Sequence, residues 1–406
     1  MSASLLFIFV ISYFILLLSV AWYTSRNSTN ESFFIGNRNS NWMLVSFGMI
    51  GTSLSGVTFV SVPGTVGAQA FSYFQVVVGY FLGYIIVAFV LLPLYYKMQL
   101  TSIYNYLLNR FGFSAYKTGS FFFIVSRVLG ATARLYLVIN VLQIFILNNM
   151  GVPFWLTSFI ILLMIILYTF EGGVKTIVFT DTLQTTFMIA GLLICIGFVM
   201  HAMNFSITDS LNALHLKGLS NTWNTDIKSS GFFLKQVIGG AFITIGMTGL
   251  DQEMMQKNIS VQRLKDSQKN MMTFSVIMVL VNLLFLFLGG ILYIFAQSKG
   301  ITAAGDDLFP TVALNYMPSF VSVVFIIALI SALFPSADGA LTALTSSFCI
   351  DILGMQRNQQ LTEKAKKRKR MIVHFTFAII FFICIMVFKW IDDKSIIGII
   401  LTIAGY

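Results

Sequence analysis

The sequence predicts an all-α protein that crosses a membrane many times, and three observations carry that prediction. Hydrophobic residues make up 57% of the 406 positions and charged residues 10%, against about 25% charge in soluble domains. Apolar windows of a length that spans a bilayer as helix, roughly 20 residues, recur from end to end. The connections are short. Only 204–230, 299–317 and 352–370 reach any size, so the chain reads as a single membrane domain with no soluble one.

The windows fall at 4–24, 42–68, 73–96, 119–147, 153–170, 180–203, 231–252, 271–297, 318–350, 371–390 and from 395 onward. The first has no basic segment before it and no small-residue cleavage site after it, so it reads as a retained helix and not as a signal peptide. The last stops at Tyr406 after about a dozen residues, fewer than a span needs, and further C-terminal helices are expected beyond it. Cys195, Cys349 and Cys384 all lie inside windows, so no disulfide framework is implied.

Charge sets the orientation. Alternate connections hold Arg26, Arg38, Lys97, Arg110, Lys117, Lys175, Lys257, Arg263, Lys265 and Lys269, and the run Lys364–Arg370 with Arg357 completes that side. This gives 17 basic residues against six on the other side, Lys217, Lys228, Lys235, Lys299, Lys389 and Lys394. The positive-inside rule then puts the basic loops in the cytoplasm and the N-terminus outside. A multi-pass protein of the plasma membrane, such as a bacterial inner membrane, is expected. The net charge of +10 is spread over loops that meet anionic lipid, so the bilayer is the partner it implies and no nucleic acid is.

Two windows look broken. Residues 46–67 mix Gly48 and Gly51 with Thr52, Ser53, Ser55, Thr58 and Pro63, and Val237–Leu250 mixes Gly239, Gly240, Gly246 and Gly249 with Thr244 and Thr248. With the first window set aside as an extra helix, these open two five-helix halves, one at 42–203 and an incomplete one at 231–406. Interrupted helices at matching places point to an inverted-repeat secondary transporter with a site near the midplane. Either one alone is equally explained by small residues that let helices pack closely. The helix Ala328–Asp351 adds Ser331, Pro335, Ser336 and Asp338 at membrane depth. An unsatisfied polar group there costs several kcal/mol, so something polar or ionic must meet this helix.

Asp181 sits in Tyr168–Gln184. Its carboxylate could neutralise a cation, since hard cations choose oxygen ligands, or cap the helix that follows Glu171-Gly172-Gly173. Arg127 and Arg134 are seven apart, two helical turns, and share one face. A buried arginine is a functional candidate, and guanidinium suits bidentate carboxylate binding. Pairing with Asp338, or snorkelling to an interface, is the alternative. Glu171 and Glu253 read as solvated caps, and His201, His215 and His374 show no metal spacing. The hydroxyls of Ser53, Ser55 and Thr58 flank the first break. No cluster of His, Asp or Glu near an interface suggests an enzyme.

In order along the chain, these segments resemble the signatures of the sodium:solute symporter family. The resemblance rests on Gly172-Gly173-x-Lys175 followed by Thr180-Asp181-x-x-Gln184, on Leu250–Lys257, on Ser32–Arg38 ahead of the first break, and on 328–351. It implies the LeuT-type fold, with two inverted five-helix repeats behind an extra N-terminal helix. It also implies sodium-coupled symport of a small polar solute by alternating access, with Na+ as the coupled ion. The shared sodium site would take carbonyls of Gly51, Leu54 and Ala332 and the hydroxyl of Ser336. The family usually has two adjacent hydroxyl residues there, and here the first is Pro335. Proline frees the Ser331 carbonyl four residues earlier, and Asp338, one turn along, is a further candidate oxygen or else lines a polar vestibule.

Some members hold a second sodium with an aspartate and hydroxyls that match Asp181 and Ser336, though Pro335 removes one ligand. Gln75 would lie near the outer mouth. Members that carry sialic acid use an arginine on the carboxylate, which tilts the expected substrate toward a carboxylated solute such as sialic acid. A neutral sugar, polyol, proline or pantothenate-type solute is close behind. A proton-coupled carrier with Asp338 or Asp181 titrating, and a transporter-like sensor, remain alternatives.

Overall fold

The computed structural model describes residues 3–391 apart from Asn27, Asn358 and Gln359. The window from 395 onward lies outside the described residues. Seventeen α-helices follow one another in it: α1 Ala3–Ser25, α2 Asn30–Ile35, α3 Trp42–Ser53, α4 Gly56–Gln69, α5 Tyr73–Ile86, α6 Leu92–Lys97, α7 Asn105–Phe111, α8 Phe113–Leu142, α9 Phe154–Thr169, α10 Val174–Ala202, α11 Ile207–Leu216, α12 Phe233–Thr244, α13 Gln252–Ile259, α14 Leu264–Lys299, α15 Leu308–Asn315, α16 Ser319–Ser347 and α17 Glu363–Ile391. A π turn at Val87–Leu91 joins α5 to α6, and others extend α8, α12 and α16.

Among the described residues seven spans are long and apolar enough to cross a membrane, and the bent pairs α3/α4 and α12/α13 bring the number to nine. Several spans start before their apolar windows: α10 begins at Val174 and not 180, α14 at Leu264 and not 271, α17 at Glu363 and not 371. The leading turns of α14 and α17 are polar or basic, and that of α10 carries Lys175 and Thr176 among buried apolar residues. The connection 204–230 also folds a helix, α11. There Ser206 and Asp209 form a capping box, each side chain accepting the other's backbone N–H at 3.1 and 2.9 Å.

Burial separates the centre of the bundle from its rim. Of the apolar stretch of α16, 83% is buried, against 22% for α1. So α16 is the central helix, packed by α10, α8 and α3, and α1 leans on α10 from the lipid side. Lipid gives helices no hydrophobic drive to associate, so close packing must do it. Where α5 meets α12, a Cβ on Gly79 would stand 2.2 Å from the Val237 carbonyl and one on Gly240 2.3 Å from that of Val76, so only glycine fits on either side. Phe59, Phe285, Phe309 and Phe325 lock α4, α14, α15 and α16 together with ring centroids 4.8 to 5.9 Å apart, each pair worth about 0.5–1.5 kcal/mol.

Candidate functional site

The first break lies at Leu54–Ser55, not at Pro63, which sits inside α4. Leu54 leaves the helical region at φ −90°, ψ 87°, and its N–H closes α3 on the Ile50 carbonyl at 2.8 Å. Extended Ser55 then caps α4, its Oγ facing the Thr58 N–H at 3.5 Å. The axis turns by 57°. The carbonyls of Gly51 to Leu54 fall beyond the α3 ladder, as the last four of any helix do.

The end of α3 that carries them packs against α16. A Cβ on Gly51 would stand 3.1 Å from Pro335 Cγ and 2.5 Å from Thr185 Oγ1, so Gly51 brings the break into contact with Pro335 and with α10. Ala332 and Ser336, one turn apart on α16 beside Pro335, are buried. Ser336 Oγ donates to the Leu333 carbonyl at 2.9 Å, which leaves its lone pairs to accept. Ser331 Oγ donates to Tyr13 Oη at 2.7 Å.

Beside the break opens a cavity of about 290 Å³. Ser53, Leu54, Ser55 and Thr58 line one wall, Tyr73, Tyr80 and Tyr84 of α5 a second, and Arg127 and Arg134 of α8 a third, with Thr248 and Asn282 opposite. The two arginines share one face, as their spacing requires, but differ in state. Arg127 donates Nη2 to the Asp251 carboxylate and holds Nη1 3.3 Å from Glu253 Oε2. The Arg134 guanidinium has no ion pair among the described residues. The sequence reading missed Asn282, whose amide donates to the Met278 carbonyl at 2.8 Å while its Oδ1 has no partner among the described residues. Its signal was a single amide in the apolar run of α14.

The second break carries charge. After the π turn Ile245–Gly249 the chain bends by 66°, and extended Asp251 caps α13 by accepting the Met254 N–H at 3.0 Å. Tyr95 Oη takes up the freed Gly249 carbonyl at 2.8 Å. Lys257, on the last turn of α13, donates to Asp181 Oδ2 at 2.6 Å and to Thr52 Oγ1 at 2.5 Å. Asp338 accepts from Tyr168 Oη at 2.7 Å, and its Oδ1 has no hydrogen-bond partner among the described residues.

Three sequence readings change in the structure, and one expected site residue lies outside the cavity. Lys257 is 3% exposed and ion-paired, so it leaves the tally of loop charges; a polar stretch read as loop is instead α13, folded back into the protein. Glu253 is 2% exposed against Arg127, not a solvated cap, whereas Glu171 does reach the surface and pairs with Lys367 at 2.9 Å. Asp181 is the eighth residue of α10 and faces Lys257, so it does not cap that helix. Gln75 is buried away from the cavity: its amide donates to the Ser72 carbonyl at 3.1 Å and accepts the Asn224 N–H at 3.2 Å, pinning the 204–230 connection. Among the described residues no group of His, Cys, Asp and Glu could hold a metal by itself.

Known proteins share this architecture. The sodium/sialic acid symporter SiaT of Proteus mirabilis is 22% identical over 83% of this chain and 68% of its own length. The sodium-coupled monocarboxylate transporter 1 of Mus musculus is 26% identical over 83% of this chain and 56% of its own, so the chain spans little more than half of that relative. A substrate-bound, outward-open structure of a Na+-coupled sialic acid symporter superposes with a TM-score of 0.87 at 20% identity, over 98% of this chain and 85% of that one. That likeness establishes the LeuT-type fold. The family model of the sodium:solute symporter family matches residues 33–406, nearly the whole chain, so this multi-pass membrane protein belongs to that family of transporters and to no enzyme class.

Proposed function

We propose that the protein imports a small carboxylated solute together with sodium, and that one observation carries this reading: an arginine without an ion pair, Arg134, lines a cavity built on a broken helix. A guanidinium with no direct ion pair at membrane depth is costly, and a bound carboxylate would supply the two parallel hydrogen bonds it is shaped to give. Ser53, Ser55, Thr58 and Asn282 offer the donors and acceptors for the rest of the solute. Arg127 is already neutralised by two carboxylates and serves to hold α13 to α8.

Sodium would take the carbonyls of Gly51 and Leu54, the Ala332 carbonyl and Ser336 Oγ, with the Ser331 carbonyl freed by Pro335. The contact of Gly51 with Pro335 supports this set, and all of its members are the hard oxygens that such a cation prefers. Asp338 would act on the ion through its charge and not by contact. Sodium bound across α3 and α16 stabilises the conformation in which these helices meet, which couples ion to solute by differential binding. A membrane potential adds about 2.3 kcal/mol per charge per 100 mV. In this reading the repeats are 42–203 and 231 onward, the N-terminus is outside and the basic loops face the cytoplasm of a plasma membrane.

The test is uptake of labelled sialic acid, lactate, glucose and proline into proteoliposomes, with and without an inward sodium gradient. Sodium-stimulated uptake of a carboxylated solute supports the proposal. Uptake driven by a proton gradient without sodium, or stimulation of neutral solutes alone, would overturn it.

A further inference from the structure

The residues expected at a second sodium site do not fit a second sodium, because a cation of the protein already fills it. Lys257 Nζ lies 2.6 Å from Asp181 Oδ2 and 2.5 Å from Thr52 Oγ1, and both charged groups are buried, at 3% and 0% exposure. An ammonium is a compact point charge with three donors and no acceptor. It gathers oxygens about itself much as a small ion does, at the distances seen here. Gly339 makes the approach possible: a Cβ there would stand 3.2 Å from Nζ and 2.3 Å from Glu253 Oε1. Earlier on α16, Pro335 supplies no hydroxyl and one oxygen of the Asp338 carboxylate is taken by Tyr168. An incoming sodium would meet a like charge and a depleted set of ligands.

We propose that Lys257 is a tethered cation that takes the place of a second sodium, so that this chain binds one sodium ion per transport cycle. The inference rests on the symport reading above and deepens it. Because Lys257 belongs to α13, Asp181 to α10 and Thr52 to α3, the tethered charge ties both broken helices to α10 without exchanging with solution. It moves with α13, whereas a bound ion would come and go. Lysine suits that end of α13 as well, where helix carbonyls favour positive charge.

Counting bound sodium on the purified whole protein, by equilibrium dialysis against radioactive sodium, tests this without relying on transport. One ion per chain is expected for the native protein. Lys257→Gln, which exchanges the ammonium for an amide oxygen beside a freed Asp181 carboxylate, should bind two. Asp181→Asn combined with Lys257→Gln removes the carboxylate as well and should return to one. Two ions on the native protein would overturn the inference and leave symport standing, as would a folded Lys257→Gln that still binds one. No sodium on the native protein would overturn the symport reading together with it. If Lys257→Gln does not fold, the native count decides.

Discussion

The two broken helices bend alike, by 57° and 66°, and carry opposite chemistry. At Leu54–Ser55 the exposed groups are neutral: backbone carbonyls and the hydroxyls of Ser53, Ser55 and Thr58. At Leu250–Asp251 they are ionic, with Asp251 and Glu253 held by Arg127 and Lys257 held by Asp181. Neutral dipoles leave room for a cation to arrive from solution. Paired charges close their own account and fix how the second break sits against α8 and α10. One break is thus built to bind and the other to hold.

The largest expected effect strikes the holding side. Arg127→Ala would leave Asp251 and Glu253 buried without that partner, and breaking a buried pair costs about 3–5 kcal/mol. Thermal unfolding in detergent should show a marked fall in Tm, and a native Tm would mean that the pairs are dispensable. Arg134→Ala probes the binding side, where no ion pair is lost. We expect carboxylate uptake to fall by about 10- to 100-fold, as for a lost hydrogen bond of about 1.5–3 kcal/mol to a charged group, with Tm unchanged. Equal loss for neutral solutes would make Arg134 a structural residue.

Gly339→Ala presses α16 onto the second break, since its Cβ would push Glu253 Oε1, 2.3 Å away, off its place. Overpacking of this kind costs about 1–3 kcal/mol, and it should vanish in a Gly339→Ala, Glu253→Ala double variant. Gln75→Ala is the mildest, about 1–2 kcal/mol for two buried hydrogen bonds. It should speed proteolysis in 204–230 and leave uptake affinity alone.

The sequence spoke clearly wherever local chemistry decides structure. Glycine and hydroxyls inside apolar windows marked both breaks, and seven-residue spacing put Arg127 and Arg134 on one face. It was silent on partners far apart in the chain. Nothing local shows that Lys257 meets Asp181, 76 positions away, or which of two equivalent arginines is neutralised. The polar stretch after Leu250 read as loop because hydropathy registers lipid contact, and α13 is buried in protein instead. Gln75 was ambiguous for a related reason: a glutamine near a membrane surface reads the same whether it faces solute or ties down a loop.

The most direct test of the contrast is thermal unfolding of the purified protein across a sodium titration, with potassium as control, for the native chain and for Ser336→Ala. A ligand at 100 times its Kd stabilises by about 2.7 kcal/mol, so the native Tm should climb with sodium and stay flat with potassium. In Ser336→Ala the same climb should need several-fold more sodium. An identical sodium response in the variant, or an equal response to potassium, would contradict the assignment of the first break as the place where the ion binds.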